Sequence, residues 1–194
     1  MPSKPSPDPR LCAAAHPGGS APSDWVRRFA ALLPEGASVL DLAAGGGRHA
    51  RWLAGQGCRV TAVDRDAAAL ATMKGIGGVE TRMLDLEGPD WPLGGERFDA
   101  VVVANYLYRP RFAELFALVR PGGLLIYETF MLGNERFGKP SNPDFLLRPR
   151  ELLDGLPQGW SVVAFEQGEV ERPAMIQRLC ATRSAEPGRL PRPV

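Results

Sequence analysis

Lysine is scarce in this chain, at three residues against twenty arginines, and there are only two histidines and three cysteines. Cys12, Cys58 and Cys180 are too few and too scattered for a disulfide framework or a zinc cage. An excess of charge of one sign is also missing. Lys+Arg is 23 and Asp+Glu is 22, a net charge of +1, which excludes a large basic field for nucleic acid. No apolar run approaches the roughly 20 residues of a membrane span. No N-terminal apolar core resembles a secretion signal, so a cytoplasmic location is expected. What is present fits one globular domain: 194 residues, 44% hydrophobic and 23% charged. The abundance of Arg, Ala, Gly and Pro suggests a GC-rich genome, so the arginine count says little about function.

Nine of the 19 prolines fall at the two ends. Residues 1–22 hold Pro2, Pro5, Pro7, Pro9, Pro17 and Pro22, with almost no apolar periodicity. Residues 184–194 hold Pro187, Pro191 and Pro193. Both stretches are expected to be disordered tails, because neither buries enough surface to offset its ordering entropy. The folded unit is expected to span 23–183.

Within that unit, strands and helices alternate. Strands are expected at 38–42, 59–63, 80–84, 98–103, 124–127, 160–165 and 175–182. Helices are expected after Ser23 or Asp24, after the glycines at 45–47, after Asp66, over 111–119, and from Pro149. Apolar, unalternating strands imply a mostly parallel sheet covered on both faces, a doubly wound α/β fold of about seven strands. The last two strands are joined only by the short polar loop 168–174, so one of them runs antiparallel. Ligands of such sheets sit beyond the carboxyl ends of the strands.

Residues 41–50 read Asp-Leu-Ala-Ala-Gly-Gly-Gly-Arg-His-Ala. Gly45, Gly47 and Ala50 satisfy the dinucleotide fingerprint G-x-G-x-x-A, with Asp64 19 residues beyond Gly45. Asp41 opposes that reading, since the dehydrogenase register leaves it as an unpaired carboxylate inside a central strand. With the strand ending near Leu42, Asp41 stands at its tip and is expected to accept from the backbone N–H groups of the glycine loop.

The run Val39-Leu40-Asp41-Leu42-Ala43-Ala44-Gly45-Gly46-Gly47-Arg48 resembles motif I of class I S-adenosylmethionine-dependent methyltransferases. Ala43 replaces the first glycine of that motif. Val63-Asp64, Leu84-Asp85-Leu86, Phe98-Asp99-Ala100-Val101-Val102 and Arg120-Pro121-Gly122-Gly123-Leu124-Leu125 follow in the family's order. The C-terminal part, from Phe145 to Cys180, resembles the small tellurite-resistance-type branch more loosely. The resemblance implies S-adenosylmethionine as cofactor. It places Asp41, Ala43, Gly45, Gly47, Asp64, Arg65, Asp85, Leu86, Ala104 and Asn105 around it, Asp64 on the ribose and Asp85 near the adenine amino group.

Methyl transfer from a sulfonium is an in-line displacement with a neutral leaving group, so alignment is the enzyme's main task. A base is needed only where the nucleophile must lose a proton. Acceptor-side candidates are Tyr108 and Arg109 after the fourth strand, and Glu128, Phe130 and Arg136 after the fifth. Glu128 is open to two roles, base or partner of Arg109 or Arg136. The long connection 131–147 is expected to lack secondary structure and to act as a lid. His49 is read as a packing or helix-surface residue, and Cys58 and Cys180 as core. The expected acceptor is a small molecule, with neither membrane nor nucleic acid as partner and no metal. A methyltransferase of RNA or protein, a nicotinamide-dependent oxidoreductase and a cofactor-holding module without turnover are the alternative readings.

Deleting residues 1–22 is expected to leave the melting temperature within a few degrees of the full chain, because nothing in them forms a repeating apolar face. Thermal scanning of the two forms checks this, and a large loss would show that the segment docks.

Overall fold

A computed structural model describes residues 21–191. The expected N-terminal tail therefore falls almost wholly outside the described residues, at 1–20, whereas 184–191 of the expected C-terminal tail are described and run as irregular chain, with 192–194 outside. Seven strands form one sheet: β1 Ser38–Leu42, β2 Arg59–Asp64, β3 Val79–Met83, β4 Phe98–Ala104, β5 Val119–Phe130, β6 Ser161–Val170 and β7 Ala174–Thr182. Their order is β3-β2-β1-β4-β5-β7-β6. All pairs are parallel except β5·β7 and β7·β6, so β7 alone runs against the rest. The order reverses between β1 and β4, which opens a crevice at their carboxyl ends.

The helices α1 (Asp24–Ala30), α2 (Arg48–Gly55) and α3 (Ala67–Ala71) cover one face. Trp25, Phe29, Leu53 and Leu70 pack there on Val39, Val60, Val102 and Ile126. The other face carries α4 (Phe112–Ala117) and α5 (Glu151–Asp154), whose Leu115, Phe116 and Leu152 meet Leu40, Val101, Val103, Leu125 and Tyr127. Successive strand residues point to opposite faces, so two apolar helix layers demand strands that are apolar throughout. Between β3 and β4 the cover is an irregular segment that buries Leu86 and Leu93.

Three strand limits differ from expectation by more than one residue: both ends of β5, which runs on to Phe130, and the end of β6. β5 begins at Val119, and the pairing with β4 shifts around Pro121-Gly122-Gly123. A Cβ on Gly123 would lie 2.9 Å from the Asp99 and Arg120 carbonyl oxygens, so only glycine allows this approach. β6 continues to Val170, because cross-strand pairing with β7 persists to Val170–Ala174 and satisfies its backbone.

The segment 131–147 is not the structureless connection expected. It contains 3₁₀ turns at Asn134–Arg136 and Pro143–Phe145, and Met131 bridges Leu147 as in a parallel strand pair. Buried Asn134 donates to the Pro140 carbonyl at 3.0 Å and accepts from the Met175 N–H at 3.1 Å. Buried Gln177 of β7 accepts from the Leu152 N–H and donates to the Arg148 carbonyl. Arg109 supplies the main clamp. Its Nε and Nη2 lie 2.5 and 2.9 Å from the Glu151 carboxylate, and Nη1 and Nη2 donate to the carbonyls of Asp144 and Leu146, each at 2.7 Å. Side-chain hydrogen bonds thus replace regular structure in holding the segment down.

Arg109→Ala leaves the mostly buried Glu151 carboxylate without its cation, a loss expected to cost about 2–4 kcal/mol of stability. Denaturant melts and the rate of tryptic cleavage after Arg136 check this. Unchanged values of both would show that Arg109 does not hold the segment.

Candidate functional site

Three of the five residues from Ala43 to Gly47 adopt left-handed backbone: Ala43 at φ 56°, Gly45 at 52° and Gly47 at 73°. This lets the chain turn sharply from the end of β1 into α2. Ala43 stands where the family motif has glycine, and its Cβ makes this conformation cost about 1–2 kcal/mol. Gly47 cannot carry a side chain, because a Cβ there would overlap the thioether of buried Met73. Gly45 and Gly46 have no atom within 4 Å of where a Cβ would lie. The turn is therefore closed below and open above.

Asp41 is buried inside β1, paired in register with Ala62 and Val102, and its Oδ2 accepts from the Ala50 N–H at 3.0 Å. This corrects the expectation that it holds the glycine loop. Ala50 lies in the first turn of α2, whose N-cap, Gly47, has no side chain to cap with. The carboxylate of the neighbouring strand supplies that cap. The role expected of Asp41 falls to Asp64, whose Oδ2 accepts from the Gly45 N–H at 2.7 Å and Oδ1 from the Asp66 N–H at 2.9 Å.

Burial pushes the Asp41 carboxyl up to about 7, and nearby Asp64 adds to this, against the lowering by the Ala50 N–H and Arg48. Burial pushes His49 down to about 3, helped by Arg48. Its imidazole is neutral, with Nε2 unpartnered among the described residues, and it is an interior residue rather than a helix-surface one.

The remaining positions expected to bind cofactor line the same edge. Arg65 follows β2 and lies near Glu87, whose carboxyl burial pushes up, with Asp85 adding to this and Arg65 partly offsetting it. Asp85 is exposed after β3 and accepts from the Glu87 N–H at 2.9 Å, while the Leu86 side chain is core. Ala104 ends β4, and Asn105 follows in left-handed backbone with its N–H on the Glu128 carbonyl at 3.0 Å.

The acceptor-side candidates disperse. Tyr108 directs its hydroxyl at the Glu87 carbonyl, 3.4 Å away. Arg109 is consumed by its clamp. Glu128 pairs with neither Arg109 nor Arg136; directly opposite it on β7 stands Arg178, whose Nε lies 3.2 Å from the carboxylate. Antiparallel register puts these two side chains together, and local spacing does not reveal it. Phe130 ends β5 half-buried. Arg136 turns back to the Gly133 carbonyl at 3.1 Å and lies over the Phe137 ring. Sequence reasoning missed Arg51, Thr72 and Met73, which brace the glycine turn from outside and below. No motif marks them.

Asp41 and His49 act on stability with opposite signs. The folded Asp41 keeps a proton between pH 3.8 and about 7 where the unfolded carboxyl has lost it, so its contribution falls as pH rises through that window. The unfolded His49 gains a proton below 6.5 that the folded imidazole refuses down to about 3, so its contribution falls as pH drops. Asp41→Asn, which keeps an acceptor for Ala50, is expected to be more stable than wild type at pH 8 by on the order of 2–4 kcal/mol. It should also lose stability more steeply on acidification. Parallel stability–pH profiles for the two proteins would refute the assignment.

Residues 39–123 match the family described as a methyltransferase domain. No curated protein sequence matches the chain. Among solved structures, TehB from Haemophilus influenzae superposes with a TM-score of 0.66 at 19% identity, covering 81% of this chain and 60% of that one. A TehB-like S-adenosylmethionine-dependent methyltransferase from Corynebacterium glutamicum gives 0.61 at 18% identity, over 81% and 86% of the two chains. Coclaurine N-methyltransferase bound to N-methylheliamine and S-adenosylhomocysteine gives 0.59 at 15%, over 78% and 69%. These likenesses carry the fold, while the family match covers β1 to β5 with the glycine turn between. The family match spans less than half of the 194 residues, and the solved structures, all under 25% identical, share the chain's α/β fold.

Proposed function

We propose that this protein is a methyltransferase that acts on a small molecule and binds S-adenosylmethionine across the carboxyl ends of β1 to β4. The observation that carries the reading is the turn at 43–47, open over Gly45 and Gly46 and tied by its Gly45 N–H to Asp64. Backbone at Ala43, Gly45 and Gly47 is the floor on which the amino-acid part of the cofactor rests. Each oxygen of Asp64 accepts one backbone N–H and has a further lone pair for a ribose hydroxyl. Exposed Asp85, with Leu86 packed behind it, faces the adenine, and Arg65, Ala104 and Asn105 border the pocket.

The cofactor supplies an activated methyl group, so the chain's residues need only hold donor and acceptor in line. Well-oriented groups gain roughly 7–11 kcal/mol from such placement. Tyr108, Phe130 and Arg136 are the acceptor-side residues of this reading. Glu128 is held by Arg178 and positions β7 against β5. Support for a small acceptor comes from the near-neutral charge of the chain and from the small molecule bound to coclaurine N-methyltransferase. No helix among the described residues is long and apolar enough to cross a membrane, and Cys58 and Cys180 are buried free thiols, which accords with a reducing cytoplasm.

Asp64→Ala removes an ionised acceptor from two ribose hydroxyls, each bond worth about 1.5–3 kcal/mol before water compensates. S-adenosylhomocysteine is expected to bind at least about tenfold more weakly by calorimetry. Asp64→Asn, which keeps an acceptor for the Gly45 N–H, should fall between. Equal affinity in all three proteins would remove Asp64 from the site.

A further inference from the structure

We propose that Arg51 is a positioning residue for the cofactor, acting by fixing the Gly46–Gly47 peptide plane. The inference rests on the reading of the 43–47 turn as the cofactor floor. Arg51 lies one turn into α2 and reaches back to its start. Its Nη1 donates to the Gly46 carbonyl at 2.6 Å. Its Nη2 donates to the Thr72 carbonyl at 2.5 Å and the Thr72 hydroxyl at 3.0 Å. That hydroxyl lies 3.3 Å from the same Gly46 oxygen and 2.6 Å from the Ala69 oxygen. One guanidinium thus ties the turn to the residue that ends α3.

The physical need for this brace is local. A peptide flanked by two glycines lacks the Cβ atoms that normally oppose rotation of its plane. On one side of this plane the Gly47 N–H reaches the Ala44 carbonyl at 2.9 Å. On the other side, the Gly46 oxygen accepts from Arg51 Nη1 at 2.6 Å, while the Thr72 hydroxyl donates to the Ala69 carbonyl at 2.6 Å and accepts from Arg51 Nη2, anchoring the guanidinium. Without Arg51, only the Gly47 N–H bond to the Ala44 carbonyl opposes a flip of the plane. A flipped plane presents the Gly46 oxygen to the open upper face and breaks the contact that shapes the turn. Pre-organised backbone of this kind raises affinity by removing the ordering cost from the binding step. Asp41, Asp64 and Met73 fix the turn from inside and below, but none of them touches this oxygen.

Arg51→Ala, Arg51→Lys and Thr72→Val, each compared with wild type, test the proposal with S-adenosylhomocysteine and S-adenosylmethionine as probes. Calorimetry is expected to give about tenfold weaker binding for Arg51→Ala and a smaller loss for Thr72→Val. Arg51→Lys, which keeps one donor for Gly46, should recover part of the loss. Melting temperatures should stay within a few degrees, since the brace lies on the surface. In the ligand-free protein, the Gly47 amide of Arg51→Ala should exchange with solvent faster than in wild type. Affinities equal to wild type overturn the proposal, as do affinity losses that track losses of melting temperature across the three variants. Failure of the wild-type protein to bind either probe would overturn the cofactor reading instead, and the Gly47 exchange rate would still report whether Arg51 holds the plane.

Discussion

The site rests on an unmet need for hydrogen-bond acceptors at the start of α2. The first N–H groups of a helix have no partners within it, and here the capping position is a glycine. The Asp41 carboxyl group of β1 meets part of that need, and the Asp64 carboxylate of the adjacent parallel strand holds the turn that leads into the helix. Asp41 takes the Ala50 N–H from below, and Asp64 takes the Gly45 N–H from the side. Because β1 and β2 are in register, the turn, the helix and both carboxylates form one rigid unit at the sheet edge. That unit leaves backbone exposed over Gly45 and Gly46, where a ligand can approach closely.

This arrangement stores unfavourable terms. Asp41 is a carboxyl buried deeply enough to hold its proton near neutral pH, His49 in the first turn of α2 is neutral with its Nε2 unpartnered among the described residues, and Ala43 occupies left-handed backbone. The surrounding apolar layers offset these costs: Met73, Leu53 and Val102 are fully or almost fully buried around the same helix and strands. Strain that survives because its surroundings over-determine it is common where backbone is shaped for binding.

On the far side of the crevice a different device operates. The 131–150 stretch has little regular structure, yet Asn134, Gln177 and the Arg109–Glu151 pair give its backbone groups defined partners. It is a strap fixed to β7 and to the exit of β4 rather than a free loop. Phe130 and Tyr108 are thereby held on rigid supports beside the β1–β4 crevice.

The sequence by itself determined the sheet, its two covered faces, the antiparallel strand near the C-terminus and the row of residues at the strand ends. Each follows from local information: apolar runs, glycine and proline breakers, and the lengths between them. Asp41, Gly45, Asp64, Asp85 and Asn105 stand out as candidates because each sits at or just past the end of a strand. Partnership was decided only by the tertiary structure. The holding of the glycine turn by Asp64 rather than Asp41, the pairing of Glu128 with Arg178 instead of Arg109 or Arg136, and the reach of Arg51 to Gly46 and Thr72 all join groups brought together by register or by helix placement. A side chain's partner depends on distances between elements remote in the chain, and no spacing along the chain encodes those distances.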